Sequence, residues 1–162
     1  MRRFTSVTAA MLVGTALLLG LGGCDLIAPQ ETLKNGETSD GVSGTTGPVR
    51  VANAVLITTT GRTANLVTDL VNTSGDAKQV RIQLESAATH TVTAKAADST
   101  QLGVPGGTIV IFSGQRLEPG SIASVYFQAA GSSGVQLGVP VLTGALPQYR
   151  DLTPAKVASA SH

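Results

Sequence analysis

The clearest pattern of apolar and polar positions in the chain is at "KQVRIQLES" (78–86). Val80, Ile82 and Leu84 alternate there with Gln79, Arg81, Gln83 and Glu85. A period of two predicts a strand with one dry face and one wet face. Other runs have strand character with less regular alternation: "PVRVANAVLIT" (48–58), "TANLVTDLVN" (63–72), "HTVTAK" (90–95), "SIASVYFQ" (121–128) and "VQLGVPVLT" (135–143). The continuous apolar run "TIVIF" (108–112) predicts a strand buried on both faces. Outside the first two dozen residues no window carries a 3.6-residue period. Seven short strands separated by Gly/Pro turns predict an all-β fold, a single β-sandwich of the immunoglobulin/cupredoxin kind. In "LEPG" (117–120), Pro119 presets φ and Gly120 supplies the positive φ of a type II turn before a late strand. Immunoglobulin domains proper are excluded, because there is no cysteine pair and no tryptophan.

The N-terminus follows another rule. Arg2 and Arg3 precede an apolar core from Ala9 to Leu21, and Gly22 and Gly23 stand before Cys24, the only cysteine. A short positive region, an apolar core and small residues form a secretory signal peptide over residues 1–23, too short in its apolar part to span a bilayer. Leu21-Gly22-Gly23-Cys24 resembles the bacterial lipobox, which implies cleavage between Gly23 and Cys24 and acylation of the Cys24 sulfur. Two fatty chains hold where one is marginal, at about 0.8 kcal/mol per buried methylene. The expected location is the extracytoplasmic face of a cell membrane, reached through that lipid anchor. Residues 24–47 lack either period and are rich in Gly, Ser and Thr, so they predict a flexible linker. The sandwich is then expected over 48–153 and a frayed tail over 154–162.

Composition narrows the function. Beyond residue 23 nine Lys/Arg (eleven less Arg2 and Arg3) face ten Asp/Glu, with no basic run, which argues against nucleic acid. "GVPGG" (103–107) precedes a strand, whereas a phosphate cradle follows one and opens a helix, so it reads as a loop. "NTSGD" (72–76) offers Asn72, Ser74 and Asp76 but too few carboxylates for a calcium loop. A Ser-His-Asp triad would depend on His90 alone, since the other histidine is His162 in the tail. No catalytic residue, metal site or cofactor is expected.

The lipobox, the linker, "ANLVTDLVNTSGDAKQVRIQL" and the closing "GVPVLTGALPQYRDLTP" together resemble small actinobacterial lipoproteins of the LpqE type. These are similar in turn to the periplasmic copper chaperones called PCu(A)C, and the resemblance spans roughly residues 48–152. It implies a small cupredoxin-like sandwich. PCu(A)C proteins hold copper with a His/Met set, because soft thioethers select Cu(I). Here Met1 and Met11 both fall in the signal peptide, leaving His90. The expectation is therefore a non-enzymatic, lipid-anchored envelope protein that binds an envelope protein or cell-wall component. Copper or metal handling is the alternative.

Overall fold

The computed structural model describes residues 40–85, 89–114 and 116–160. Nine strands run through the described residues: β1 (Val42–Thr46), β2 (Val49–Thr58), β3 (Thr63–Asn72), β4 (Lys78–Leu84), β5 (Thr89–Ala94), β6 (Ser99–Leu102), β7 (Ile111–Ser113), β8 (Ile122–Ala129) and β9 (Val135–Thr143). The strand order is β5-β4-β8-β9-β2-β3-β6, with β1 paired to β2 and β7 to β3. All pairings are antiparallel except that between β2 and β9. The all-β sandwich expected from the alternation is the fold observed.

β9 holds the two sheets together. Its first part, Val135 to Pro140, pairs with β8, and Val141 to Thr143 pair in parallel with Leu56 to Thr58 of β2. The main core between the sheets is aliphatic: Val80, Ile82, Leu84, Val125 and Val139 are all fully buried, with Phe112 and Phe127 as its aromatics. On β4 the burial pattern follows the sequence alternation residue by residue.

β2 breaks that parity. Ala52 faces Asp69 and Val55 faces Val67, so β2 spends one more residue than β3 over this stretch, a β-bulge. Asn53 sits in it at φ 52°, a left-handed conformation that asparagine tolerates better than β-branched residues do. Asn53 Oδ1 accepts from the Gly41 N–H at 3.0 Å. Before the bulge Val49 and Val51 enter the main core, and after it Ala54 and Leu56 do. Val55 and Ile57 are thereby turned to the opposite face, where they pack with Tyr149 in a second small core.

A 3-10 segment, Pro147–Leu152, and a short helix α1 (Pro154–Ala160) form the C-terminal end. Tyr149 and Leu152 belong to the second core, and Tyr149 O–H donates to Asp40 at 2.8 Å. Desolvation pushes the Tyr149 hydroxyl up to about 12, helped by the hydrogen bond and the charge of Asp40.

Four expectations need correction. Strand β1 lies inside the stretch 24–47 expected to be linker: its Gly, Ser and Thr read as loop, but Val42, Thr45 and Thr46 are β-branched, and pairing with β2 overrides the low strand propensity of Ser43 and Gly44. The segment 154–160 is helical, with Pro154 and Val157 buried, because it lies against β3 and the 3-10 segment. The run 108–112 is not a doubly buried strand; β7 spans three residues, and the doubly buried strand is the second half of β2. Finally β6, too short and polar to show a period, is an additional strand that pairs with β3.

Candidate functional site

Leu21, Gly22, Gly23 and Cys24, the lipobox positions, lie outside the described residues. Of the residues singled out within the domain, His90 stands at an inward position of β5, half-buried, in line with Val92 and Ala94. Its ring meets Phe112 edge-on, with centroids 5.0 Å apart and planes at 86°. Such pairs help fix a ring in place. Among the described residues no three or more His, Cys, Asp or Glu side chains come together as a metal-holding group.

The "NTSGD" turn consumes its own polar groups. Asn72 is buried, and its Nδ2 donates to the carbonyls of Asp76 (2.8 Å) and Lys95 (3.0 Å). Its Oδ1 accepts from Ser74 N–H and Oγ–H. The side-chain oxygens of Asn72 and Ser74 are thus engaged in closing a turn. "GVPGG" is likewise a self-bonded loop, with Gly103 N–H donating to Thr108 and Thr108 N–H to Gln101. Gly103 takes φ 73° and approaches so closely that a Cβ there would meet Leu66 O at 2.2 Å. Asn65 fixes this loop to the C-terminal segment by donating to Gly103 O and Leu152 O. The type II turn is formed as expected: Gly120 has φ 85° and Ser121 N–H donates to Glu118 O at 3.0 Å.

Two regions of the surface have the shape of a site. At the end where the β2–β3 loop meets the β7–β8 loop, a groove of about 820 Å³ is lined by Thr60 to Thr63, Gly114, Arg116, Glu118 and Pro119. Arg116 is paired with Glu118 at 2.9 Å across the groove wall, which offsets its charge. The second region is the outer face of β5, β4, β8 and β9. It carries two shallow recesses of about 390 and 220 Å³, around Tyr126 and around Arg81. Sequence reading treated these outward positions only as the wet side of a strand, since period two reports which side faces water and nothing about what else it does.

No protein-family model matches the chain, and no curated protein matches it. Solved structures do. The apo PCuAC domain from PmoF1 superposes with a TM-score of 0.54 at 13% identity, covering 63% of this chain and 99% of that one. The apo PmoF2 PCuAC domain gives 0.51 at 14% identity, covering 65% and 98%. The copper-bound PCuAC domain from PmoF2 gives 0.50 at 14% identity, covering 63% and 98%. At this identity the likeness establishes a shared fold: the described domain has the PCuAC architecture.

Proposed function

We propose that the chain is a lipid-anchored, non-enzymatic envelope protein of the actinobacterial LpqE type, held to the extracytoplasmic face of a membrane through Cys24, whose PCuAC-fold domain works by binding a partner. The observation that carries this reading is the donor inventory on that scaffold. Beyond residue 23 the chain has no methionine and only Cys24, His90 and His162 as soft or imidazole donors. Alkylation of its sulfur leaves Cys24 no thiolate to offer, and one half-buried imidazole does not make a selective copper site. The residues present do not fit a resident copper ion.

Metal handling is the second reading, and the likeness to PCuAC domains, one of them copper-bound, favours it. His90, held against Phe112, is the residue on which it would have to centre. Competition of the purified chain against a chromophoric Cu(I) chelator separates the two. The binding-domain reading expects no stoichiometric transfer of copper to the protein. Submicromolar binding that is lost in His90→Ala would establish the metal-handling reading instead. The anchor has its own test: a clickable fatty-acid probe should label the wild type and leave Cys24→Ala unlabelled.

A further inference from the structure

Most solvated sheet faces mix lysines with carboxylates. The outer face of the β5-β4-β8-β9 sheet is different. One row across the strands reads Thr91, Arg81, Gln128, and the next reads Thr89, Gln83, Tyr126, Gln136, each residue directly opposite its neighbour in the register. At about 4.8 Å between strands, the longer row extends about 14 Å. Arg81 is the only charge within the rows, and Glu85 at the end of β4 balances it. The face therefore offers nothing to a polyanion, and too little apolar area for the desolvated centre of a protein interface.

What it offers is fixed hydrogen-bonding capacity. Gln83 Nε2 donates to Glu85 O and Gln128 Nε2 donates to Ser132 O, both at 3.2 Å. Gln79 Nε2 donates to Thr93 Oγ1 at 2.8 Å, and Gln136 Nε2 donates to Ser124 Oγ. In each of the four amides a nitrogen is tied down, and the Oε1 atom makes no hydrogen bond among the described residues. Because backbone carbonyls can only accept, the orientation of Gln83 and Gln128 is set by chemistry. The acceptors of Gln83 and Gln128 are held ready with less side-chain freedom to lose, while the amides of Gln79 and Gln136 meet hydroxyls that can donate as well as accept.

Tyr126 stands among them, half-buried, with its phenol end against Gly134. A Cβ at that glycine would fall 2.0 Å from the hydroxyl oxygen, so the ring lies where only glycine leaves room. The recess around Tyr126 is lined by Gln83, Glu85, Ser124 and Gln136. An aromatic ring takes the C–H face of a sugar, while pinned amide oxygens accept from its hydroxyls.

We propose that this face is a binding platform for an uncharged, hydroxyl-rich glycan chain, with one sugar seated on Tyr126. The proposal deepens the binding reading above and rests on it, by naming the chemical class of the partner. The test uses the full chain in detergent micelles, titrated with soluble oligosaccharides of glucose, mannose, galactose or arabinose and with an acidic polyuronate. At least one neutral oligosaccharide is expected to bind, and more tightly than the polyuronate. Tyr126→Ala should weaken it about tenfold, and Gln83→Ala or Gln136→Ala several-fold, with melting temperatures checked for each. Arg62→Ala, in the groove at the loop end, should leave binding unchanged. If Tyr126→Ala fails to fold, the two glutamine variants carry the test. No neutral oligosaccharide binding at millimolar concentration overturns the proposal. So does affinity indifferent to the glutamine and tyrosine changes, or a preference for the polyuronate. The two readings fail separately: a stoichiometric copper site would remove the binding-domain reading whatever the titration shows. Absence of glycan binding, with a protein still crosslinked to the anchored domain, would remove only the glycan.

Discussion

Strands β4 and β2 are built from similar residues and bury them in different ways. On β4 Val80, Ile82 and Leu84 are fully buried and the side chains between them meet water. On β2 five consecutive residues, Ala54, Val55, Leu56, Ile57 and Thr58, are fully buried. The first pattern needs one covering sheet. The second needs two covers, the opposite sheet on one side and the C-terminal segment carrying Tyr149 and Leu152 on the other. A strand's pattern thus reports how many layers lie over it, and β2 carries its bulge where the second layer begins.

The largest expected effects test those two covers. Leu56→Ala and Ile57→Ala should each cost about 2–5 kcal/mol, combining lost transfer energy with a cavity. On β4, Ile82→Ala should cost about as much while its neighbour Gln83→Ala stays within about 0.5 kcal/mol. Chemical-denaturant melts decide the matter. If Ile57→Ala proves as mild as Gln83→Ala, the C-terminal segment does not cover β2 in solution.

A smaller effect is expected at the bulge. Asn53→Val places a β-branched residue at φ 52° and should lose about 1–3 kcal/mol, whereas Asn53→Gly, free of that strain, should lose less. Equal losses would mean that the asparagine serves only through its side-chain bond to Gly41.

The smallest effect concerns the second cover alone. Tyr149→Phe removes the hydrogen bond to Asp40, an interaction of about 0.5–1.5 kcal/mol. The sign of its pH dependence follows from the raised hydroxyl. Folding favours the protonated phenol, so its stabilisation is complete below the ordinary value near 10 and fades as pH climbs toward about 12. Wild type should therefore lose more stability than Tyr149→Phe between those values. Parallel curves through that window would show that the tyrosine is not buried as described.

Much of the sandwich was legible because its core-facing strands alternate or run apolar; the segments 63–72 and 135–143 were placed to the residue. The misreadings share one cause. β1 and α1 exist only because another part of the chain is there to receive them, and neither Gly, Ser and Thr nor "PAKVASA" announces a receiving surface. The run "TIVIF" is apolar enough for a strand, but pairing with β3 begins only at Ile111. At the candidate platform, sequence placed Gln79, Arg81 and Gln83 outward correctly. It could not bring Tyr126 and Gln136 beside them, since that neighbourhood is made by pairing across three strands.

The split pairing of β9 has a further consequence, for the time order of folding. Leu56 meets Val141 and Thr46 donates to Ser133, contacts that join the first strands to the last. Closing so large a loop costs entropy before the contacts can compensate, and folds dominated by distant pairings form slowly. A chain released from either a ribosome or a translocation pore cannot close this sheet until its last strand has emerged. Until then its apolar strands stand open to other chains, so the interval before β9 arrives is the stage at which this protein is most exposed to aggregation.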